Sequence, residues 1–249
     1  MDQVILYDNP SRFGTGTCWS PNVWKTRLLL NFKSIDYKTE WLHGPDIGPT
    51  LKSLGIPPHK PGNEIADYTI PAIRLPDGSY IMESTAIAEA IEAMYPEPEV
   101  HLDAPVLQDV MVTLWSCVEP LIPMLVPRMP RECLSGTSIS FHIEARKVTF
   151  GMSLDELEAR HGGGAWEKAL PGLSRLATIL KQDPTGPFCL GKTPSYADFV
   201  IVGFLEWAKC LGGGIFEDLL QLDLVYERLY ASSLPQCILF RRKWVTYEY

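Results

Sequence analysis

Basic residues and long apolar runs are both scarce in this chain of 249 residues. It has 22 Lys and Arg against 30 Asp and Glu, a net charge of −8 and a pI near 5.2. With no basic stripe to neutralise phosphates, nucleic acid is excluded as the main partner. No stretch approaches the roughly eighteen apolar residues of a membrane span, and the N-terminus MDQVILYD has no basic region ahead of its apolar run. We therefore expect a cytoplasmic protein that does not associate with a membrane.

Paired cysteines and metal-ligand spacings are lacking as well. The six cysteines are scattered, with no C-x-x-C pair and no His at ligand spacing, so we expect reduced thiols and no metal site. The remaining composition is ordinary, with 46% of residues apolar and 21% charged, as in a globular protein rather than a disordered one. A chain of this length forms one large domain or two ordinary ones.

The N-terminal part of the sequence predicts a compact α/β unit. A short apolar strand is followed by a loop, a mostly apolar helix and a second strand. Because a helix connects the two strands, they should be parallel. A Pro-Asp-Gly turn then joins two further strands as a hairpin, and a last helix follows. The expected strands are Val4–Tyr7, Tyr37–Leu42, Ala72–Leu75 and Ser79–Met82, and the expected helices run from Ser20 to about Lys33, from Ile47 to Leu54 and from Ser84 onward.

The C-terminal part predicts helices and no convincing strand pair. The stretch YPEPEVHLDAP at 95–105 is rich in proline and acidic residues, which is typical of a domain linker. It separates expected domains at 1–96 and 105–249. Three prolines in the first helix after the linker should kink or shorten it. The expected helices lie at about 106–128, 138–160, 165–182, 195–211, 216–230 and 236–246.

The stretch TCWSPNVWKTRLLL, which begins at Thr17, carries most of the chemical information. Ser20 followed by Pro21 ahead of an apolar run predicts a helix start, with Ser at the N-cap and Pro at the first helical position. Unpaired backbone N–H groups and the helix dipole favour an anion at such a point. If the anion is a thiolate, a neutral serine stabilises it by donating a hydrogen bond. A purely structural cap is the alternative interpretation.

Four features in this order and spacing resemble the cytosolic glutathione transferases. They are Ser20-Pro21 with Lys25 and Arg27 at the first helix, Ile70-Pro71 before the third strand, Glu83-Ser84 at the last helix of the first unit, and Ser195-Tyr196-Ala197-Asp198 as a capping box in the helical unit. The resemblance implies a thioredoxin-like α/β N-terminal domain followed by an all-α C-terminal domain. It also implies a cis peptide bond before Pro71, glutathione as cosubstrate and a homodimer.

A finer resemblance is to the fungal etherase-like glutathione transferases, related to the bacterial lignin β-etherases. It is carried by WSPNVWKTRLLLNFKSIDYKTEWL, with its three tryptophans Trp19, Trp24 and Trp41. Members of this class conjugate glutathione or cleave ethers, and some bind wood-derived aromatic compounds as ligandins. The resemblance therefore implies hydrophobic aromatic or aryl-ether substrates, with a non-catalytic ligandin as an alternative.

The same resemblance assigns the candidate site residues. Ser20 would contact the glutathione sulfur, with Asn22 as its main competitor and Thr17 also within reach. The expected glutathione-binding residues are Ser20, Lys60, Ile70, Pro71, Glu83 and Ser84, with His59 beside Lys60 in the same loop. Glu83 would face the γ-glutamyl ammonium and Ser84 the carboxylate at a helix N-terminus.

Two further hypotheses concern a cysteine and a set of aromatic residues. Cys18 lies just ahead of the helix start, where the pKa of a thiol is usually lowered, so a thiol transferase that uses Cys18 is a third possible function. A buried bystander is the alternative for this residue. Trp115, Tyr196, Phe204 and Trp207 are candidates to line an aromatic pocket against the first domain, although aromatics at helical spacing are more often core.

Overall fold

A mixed four-stranded sheet organises the first part of the chain. The computed structural model describes residues 3–14, 17–60 and 66–242, with side chains as far as residue 235. The strands are β1 (Val4–Asp8), β2 (Tyr37–Trp41), β3 (Ala72–Arg74) and β4 (Tyr80–Met82). Their order in the sheet is β2-β1-β3-β4. β1 and β2 are parallel, as predicted, while β3 is antiparallel to β1 and forms a hairpin with β4.

Three helices cover the two faces of this sheet. They are α1 (Pro21–Phe32), α2 (Gly44–Ser53) and α3 (Ser84–Met94). Successive residues of a strand point to opposite faces. Leu6 accordingly belongs to one buried cluster with Leu28 of α1, and Tyr7 belongs to the other with Leu51 of α2. The helix predicted from Ile47 begins earlier, at Gly44, with Pro45 in its first turn, where a missing N–H costs no helix hydrogen bond.

The second part is helical, which confirms the predicted fold class of a thioredoxin-like domain followed by a helical domain. Its elements are α4 (Pro105–Leu125), a 3-10 turn (Val126–Arg128), α5 (Met129–Glu132), α6 (Thr137–Phe150), α7 (Leu154–His161), α8 (Ala165–Leu180), α9 (Tyr196–Leu211), α10 (Ile215–Leu222) and α11 (Leu224–Arg242). α4 passes through Pro120 and Pro123 and tightens into the 3-10 turn at Pro127, so the prolines shorten it as expected.

The single helix predicted at 138–160 is wrong, because the chain forms α6 and α7 there. Gly151 adopts a left-handed conformation, with φ of 67°, and ends α6. Ser153 then starts α7, with its hydroxyl accepting from the Glu156 N–H at 3.2 Å and the Glu156 carboxylate accepting from the Ser153 N–H at 3.0 Å. This capping box is visible in the sequence as S-x-x-E and marks a helix start.

The helices predicted at 216–230 and 236–246 are wrong as well. Asp223 is extended, with φ of −157°, and its carboxylate accepts from the Val225 N–H at 3.2 Å, which ends α10 and starts α11. α11 then continues through Pro235 to Arg242. A proline inside a helix removes one hydrogen bond, which the chain tolerates here. The end of the second predicted helix lies outside the described residues.

α4 and the two short turns after it form a longer apolar stretch than expected. Within the described residues one stretch, Pro105–Glu132, is long and apolar enough by composition to cross a membrane, with a mean hydropathy of 1.6 in its most apolar window. One side of α4 packs against α8 and α9. Its outer side leaves Met111, Val112 and Trp115 exposed. We interpret α4 as a helix of the folded domain with an apolar outer face.

The two units meet at the start of α1. A Cβ atom on Gly203 of α9 would lie 2.7 Å from the Pro21 carbonyl oxygen, so the two helices approach as closely as only glycine allows. From the other side, the Ser138 hydroxyl of α6 accepts from the Gly44 N–H at 2.8 Å and lies 3.4 Å from the Asn9 side-chain oxygen. Residues of both units therefore surround the end of β1 and the start of α1.

Candidate active site

Ser20 occupies the N-cap of α1 and Pro21 the first helical position, as predicted. The Ser20 backbone is extended, with φ of −73° and ψ of 124°, and its carbonyl accepts from the Trp24 N–H at 3.0 Å. Its hydroxyl, however, makes no hydrogen bond to the helix N–H groups. The side chain of Ser20 therefore does not form the expected cap, although its backbone occupies the N-cap position. Asn22, in the first turn, is exposed.

The loop before Ser20 is fixed from both units through the carbonyl of Cys18. This oxygen accepts from Trp24 Nε1 at 3.1 Å and lies 3.6 Å from the Cys210 sulfur at the end of α9. The Cys18 side chain is only 1% exposed. Burial, and next to it the charge of Asp8, raises the pKa of the Cys18 thiol well above its ordinary value. The expectation of a lowered pKa at Cys18 is therefore wrong.

A buried ion pair ties α1 to the end of β1. Arg27 Nη2 lies 2.7 Å from Asp8 Oδ2, and neither side chain is accessible to solvent. The guanidinium also lies 5.4 Å from the centre of the Trp41 ring on β2 and reaches the Tyr37 hydroxyl at 3.4 Å. Burial is the largest single influence and opposes the charge of Arg27, but Asp8, Tyr37 and Cys18 together outweigh it, so the pKa of Arg27 is raised. The pair holds the start of α1 at a fixed position on the sheet.

A second polar group lies at the start of α3, beside a cis peptide bond. The bond from Ile70 to Pro71 is cis, as predicted, and the Pro71 carbonyl accepts from the Glu83 N–H at 3.2 Å. Glu83 has a φ of 90°. This conformation is unfavourable for a residue other than glycine and is found mainly at functional sites. Ser84 follows as the first residue of α3.

The Glu83 carboxylate is held by two side chains and attracted by a third. It accepts from the Thr69 hydroxyl at 3.3 Å, and His59 Nε2 lies 3.5 Å from the same oxygen and 2.8 Å from the Thr69 hydroxyl. Burial lowers the pKa of Lys25 on α1, and the negative charge of Glu83 offsets this only in part. The group thus combines a partly exposed carboxylate with a helix N-terminus and a cation. Such a group suits a ligand that carries one positive and one negative charge.

Comparison with known proteins shows the family of the chain. Models of the glutathione S-transferase N-terminal and C-terminal domains match residues 19–94 and 107–223. The glutathione S-transferase-like protein ustS of Aspergillus flavus is 31% identical over 213 residues, which span 78% of this chain and 76% of that protein. The chain belongs to the glutathione S-transferase family.

Solved structures of the family have the same fold. The glutathione S-transferase CsGST63524 of Ceriporiopsis subvermispora, crystallised in complex with glutathione, is 29% identical, with a TM-score of 0.80 and 100% of both chains covered. The glutathione transferase GSTFuA2 of Phanerochaete chrysosporium is 26% identical, with a TM-score of 0.83, and the match covers 95% of this chain and 98% of that one.

Within this family fold, the candidate residues fall into two groups. Ser20 and Asn22 lie at the start of α1, while Ile70, Pro71, Glu83 and Ser84 lie together at the start of α3. Lys60 is exposed and makes no ion pair or hydrogen bond within the described part of the chain. His59, its neighbour, reaches the Glu83 group instead.

The aromatic candidates divide between core and surface. Tyr196 is buried and its hydroxyl donates to the Ser84 carbonyl at 2.9 Å, which links α9 to the start of α3. Phe204 and Trp207 are buried and pack edge to face. Trp115 is 58% exposed on the outer side of α4, so it is not a core residue.

Two residues of the site were not assigned a role from the sequence. Thr69 belongs to no recognisable sequence motif. Its position two residues before the cis-proline is the one signal that could have placed it beside Glu83. Lys25 was part of the family pattern, but its spacing alone could not show that it is half-buried near a carboxylate.

Proposed function

We propose that this protein is a glutathione transferase that holds the glutathione thiol as a thiolate at the start of α1. The observation that carries the proposal is the Ser20 hydroxyl, which sits at the N-cap without capping the helix. A free hydroxyl at the positive end of a helix is suited to donate a hydrogen bond to a sulfur anion. Asn22, with its exposed amide, is the competing donor.

The cosubstrate glutathione lies between the two polar groups in this proposal. Glu83 binds the γ-glutamyl ammonium, and the Ser84 hydroxyl with the α3 N-terminus binds the neighbouring carboxylate. The backbone of Ile70 and Pro71 supports the central cysteinyl residue. Lys60 binds the carboxylate of the glycine.

The second substrate is a hydrophobic aromatic compound or an aryl ether. The glutathione thiolate attacks the carbon that bears the aryloxy group, a C–S bond forms, the C–O bond breaks and the aryloxide leaves and takes a proton from water. The resemblance of the Trp19 to Leu42 stretch to the etherase-like class supports this choice. The thiolate is the nucleophile in every case, so conjugation of other aromatic electrophiles would use the same site.

Titration of the bound thiol tests the role of Ser20. Ser20→Ala removes the hydroxyl but leaves the helix dipole, so the pKa of bound glutathione should rise by about one to two units, the equivalent of about 1.5 to 3 kcal/mol for a hydrogen bond to a charged group. Thiolate ultraviolet absorbance against pH measures this. If Asn22→Ala moves the titration and Ser20→Ala does not, Asn22 is the donor.

Two alternatives are separable by experiment. A ligandin would exchange a bound aromatic dye but would not turn over a fluorogenic β-aryl ether in the presence of glutathione. A thiol transferase would require a reactive Cys18. Because that thiol is buried and its pKa is raised, we expect slow alkylation by iodoacetamide in the folded protein.

A cytoplasmic homodimer completes the proposal. The apolar outer side of α4, with Met111, Val112 and Trp115 exposed, supports association because such groups are usually covered in a stable protein. A two-fold dimer would bury this surface on both subunits. Light scattering at micromolar concentration should give twice the chain mass of 27.9 kDa; a particle of single mass would contradict the dimer.

A further inference from the structure

His59 and Lys60 are neighbours in the sequence but differ in their surroundings. Lys60 is exposed, whereas the His59 side chain is only 11% exposed and lies beside the start of α3. The His59 N–H donates to the Asp67 carbonyl at 2.8 Å, which ties this part of the loop to the segment before the cis-proline. The two residues therefore do not share one role by virtue of sharing one loop, and His59 requires an explanation of its own.

A directed chain of hydrogen bonds runs from His59 through Thr69 to Glu83. The Thr69 hydroxyl donates its one proton to Glu83 Oε1 at 3.3 Å. His59 Nε2 lies 2.8 Å from the same hydroxyl. Because the hydroxyl proton is already used, Nε2 must carry a hydrogen and donate it to the Thr69 oxygen. The same Nε2 lies 3.5 Å from Glu83 Oε1, so the imidazole supports the carboxylate through Thr69 and by its own proximity.

The backbone keeps Thr69 and Glu83 side by side. β3 and β4 pair with Ala72 opposite Met82, so the residues just before β3 lie next to those just after β4. The Thr69 N–H donates to the Met82 sulfur at 3.3 Å, and the Glu83 N–H donates to the Pro71 carbonyl at 3.2 Å. The Thr69 hydroxyl is thus set at the Glu83 carboxylate by the hairpin and does not depend on a bound ligand.

Glu83 benefits from this support because its side chain is 44% exposed. An exposed glutamate samples several rotamers, and a ligand that binds it must order it, which weakens the binding. Both contacts described above are with Oε1, and within the described residues Oε2 makes no hydrogen bond. The carboxylate is therefore held by one oxygen while the other is available to a ligand.

We propose that His59 and Thr69 are positioning residues that fix the Glu83 carboxylate for the γ-glutamyl ammonium, so that His59 serves the γ-glutamyl end of the thiol cosubstrate. The inference rests on the proposed function, in which Glu83 binds that ammonium. Neither side chain contacts the sulfur or the electrophile in this arrangement. Their loss should therefore weaken binding of the cosubstrate and leave the rate of the chemical step unchanged.

Thr69→Val and Thr69→Ser form a matched pair, because valine keeps the branched shape without the hydroxyl and serine keeps the hydroxyl. In calorimetric titrations with glutathione, Thr69→Val should raise Kd by about three- to tenfold, the loss expected for one hydrogen bond, and Thr69→Ser should stay within about twofold of the wild type. With chlorodinitrobenzene as electrophile, KM for glutathione should rise with Kd while kcat is unchanged. A fall in kcat at constant KM would overturn the proposal.

Truncated thiols show which end of the cosubstrate His59 serves. γ-Glutamylcysteine lacks the glycine, and des-amino glutathione lacks the ammonium. His59→Ala should weaken binding of glutathione and of γ-glutamylcysteine by the same factor, about three- to tenfold, and should not weaken the des-amino compound. Lys60→Ala is the comparison variant, since it should weaken glutathione by a smaller factor, as an exposed charge does, and leave γ-glutamylcysteine unchanged. A loss in His59→Ala that is confined to glutathione would place His59 at the glycine end and refute the proposal.

Failure of this inference is distinguishable from failure of the proposed function. A wild-type chain that binds neither glutathione nor γ-glutamylcysteine would overturn both. A wild-type chain that binds glutathione, with Thr69→Val binding it equally well, would overturn the positioning role alone. A merely structural role would lower Tm in the unliganded Thr69→Val and weaken all three thiols, the des-amino compound included, and that result would also refute the inference.

Discussion

His142 should make the protein sensitive to acid in a range where most folded proteins remain stable. Its folded pKa of about 4 lies below the ordinary value of 6.5 because of burial and the adjacent Arg146. Between these two values the unfolded chain binds a proton that the folded chain does not. The contribution to stability is therefore fully present above pH 6.5 and is lost as the pH falls towards 4.

The size of the effect follows from the two pKa values. The difference between 6.5 and about 4 corresponds to about 3 kcal/mol at 1.36 kcal/mol per unit, and solvent screening at this half-buried position reduces it to about 2 to 3 kcal/mol. His142→Gln cannot take up the proton. Between pH 7.5 and pH 4 the free energy of unfolding should fall in both proteins. The fall should be about 2 to 3 kcal/mol smaller in His142→Gln than in the wild type.

Urea unfolding at a series of pH values measures the difference directly. The carboxylates that titrate in the same range are common to both proteins, so they cancel in the comparison. His161→Gln serves as the control, since His161 is exposed at the end of α7, and its curve should follow the wild type. Parallel curves for the wild type and His142→Gln would show that His142 is not protected from protonation in the folded protein and would refute the reasoning.

Three further predictions concern the site and the helical unit. Glu83→Gln should weaken glutathione binding by about 2 kcal/mol in calorimetry, because a charge-assisted contact is lost; unchanged affinity would remove Glu83 from the site. Asp198→Ala should lower the free energy of unfolding by about 3 kcal/mol, since the buried carboxylate accepts from Ser195 N, Ser195 Oγ and Cys189 N at 2.7 to 2.8 Å; a loss no larger than in the exposed Asp155→Ala would contradict this. Gly203→Ala should cost about 1 to 3 kcal/mol, because its methyl group would meet the Pro21 carbonyl, whereas Gly163→Ala, with open space around it, should cost little.

The sequence predicted the first unit well because each signal there is local. A crossover helix makes β1 and β2 parallel, the Pro76-Asp77-Gly78 turn forms the hairpin of β3 and β4, and Ser20-Pro21 starts α1. Errors arose in the second unit where one local signal outweighed another. Gly151 ends α6 and the capping box of Ser153 and Glu156 starts α7, although hydrophobic periodicity had favoured one long helix. Pro235, in contrast, does not end α11.

The candidate site could be predicted only in part, since burial decides what each polar residue does. The pattern placed Ser20 at a helix start, but whether its hydroxyl caps the helix depends on the side-chain conformation that packing allows. Cys18 had the sequence position of a reactive thiol, yet the structure buries it beside Asp8. Periodicity also gave no reason to expect that His142 and Arg146 would lie on a half-buried face of a largely exposed helix.

The buried pair of Asp8 and Arg27 bears on the proposed role of Ser20, because it anchors α1 to the sheet. A hydrogen bond to a thiolate requires the donor to be held in place, and Ser20 starts a helix that is anchored to both units. Arg27 fixes α1 to the end of β1, and the contact of Pro21 with Gly203 fixes it to α9. Removing one partner of a buried ion pair typically costs about 3 to 5 kcal/mol, so this rigidity has a structural basis. The position of Ser20 is therefore set by contacts that do not depend on a bound ligand.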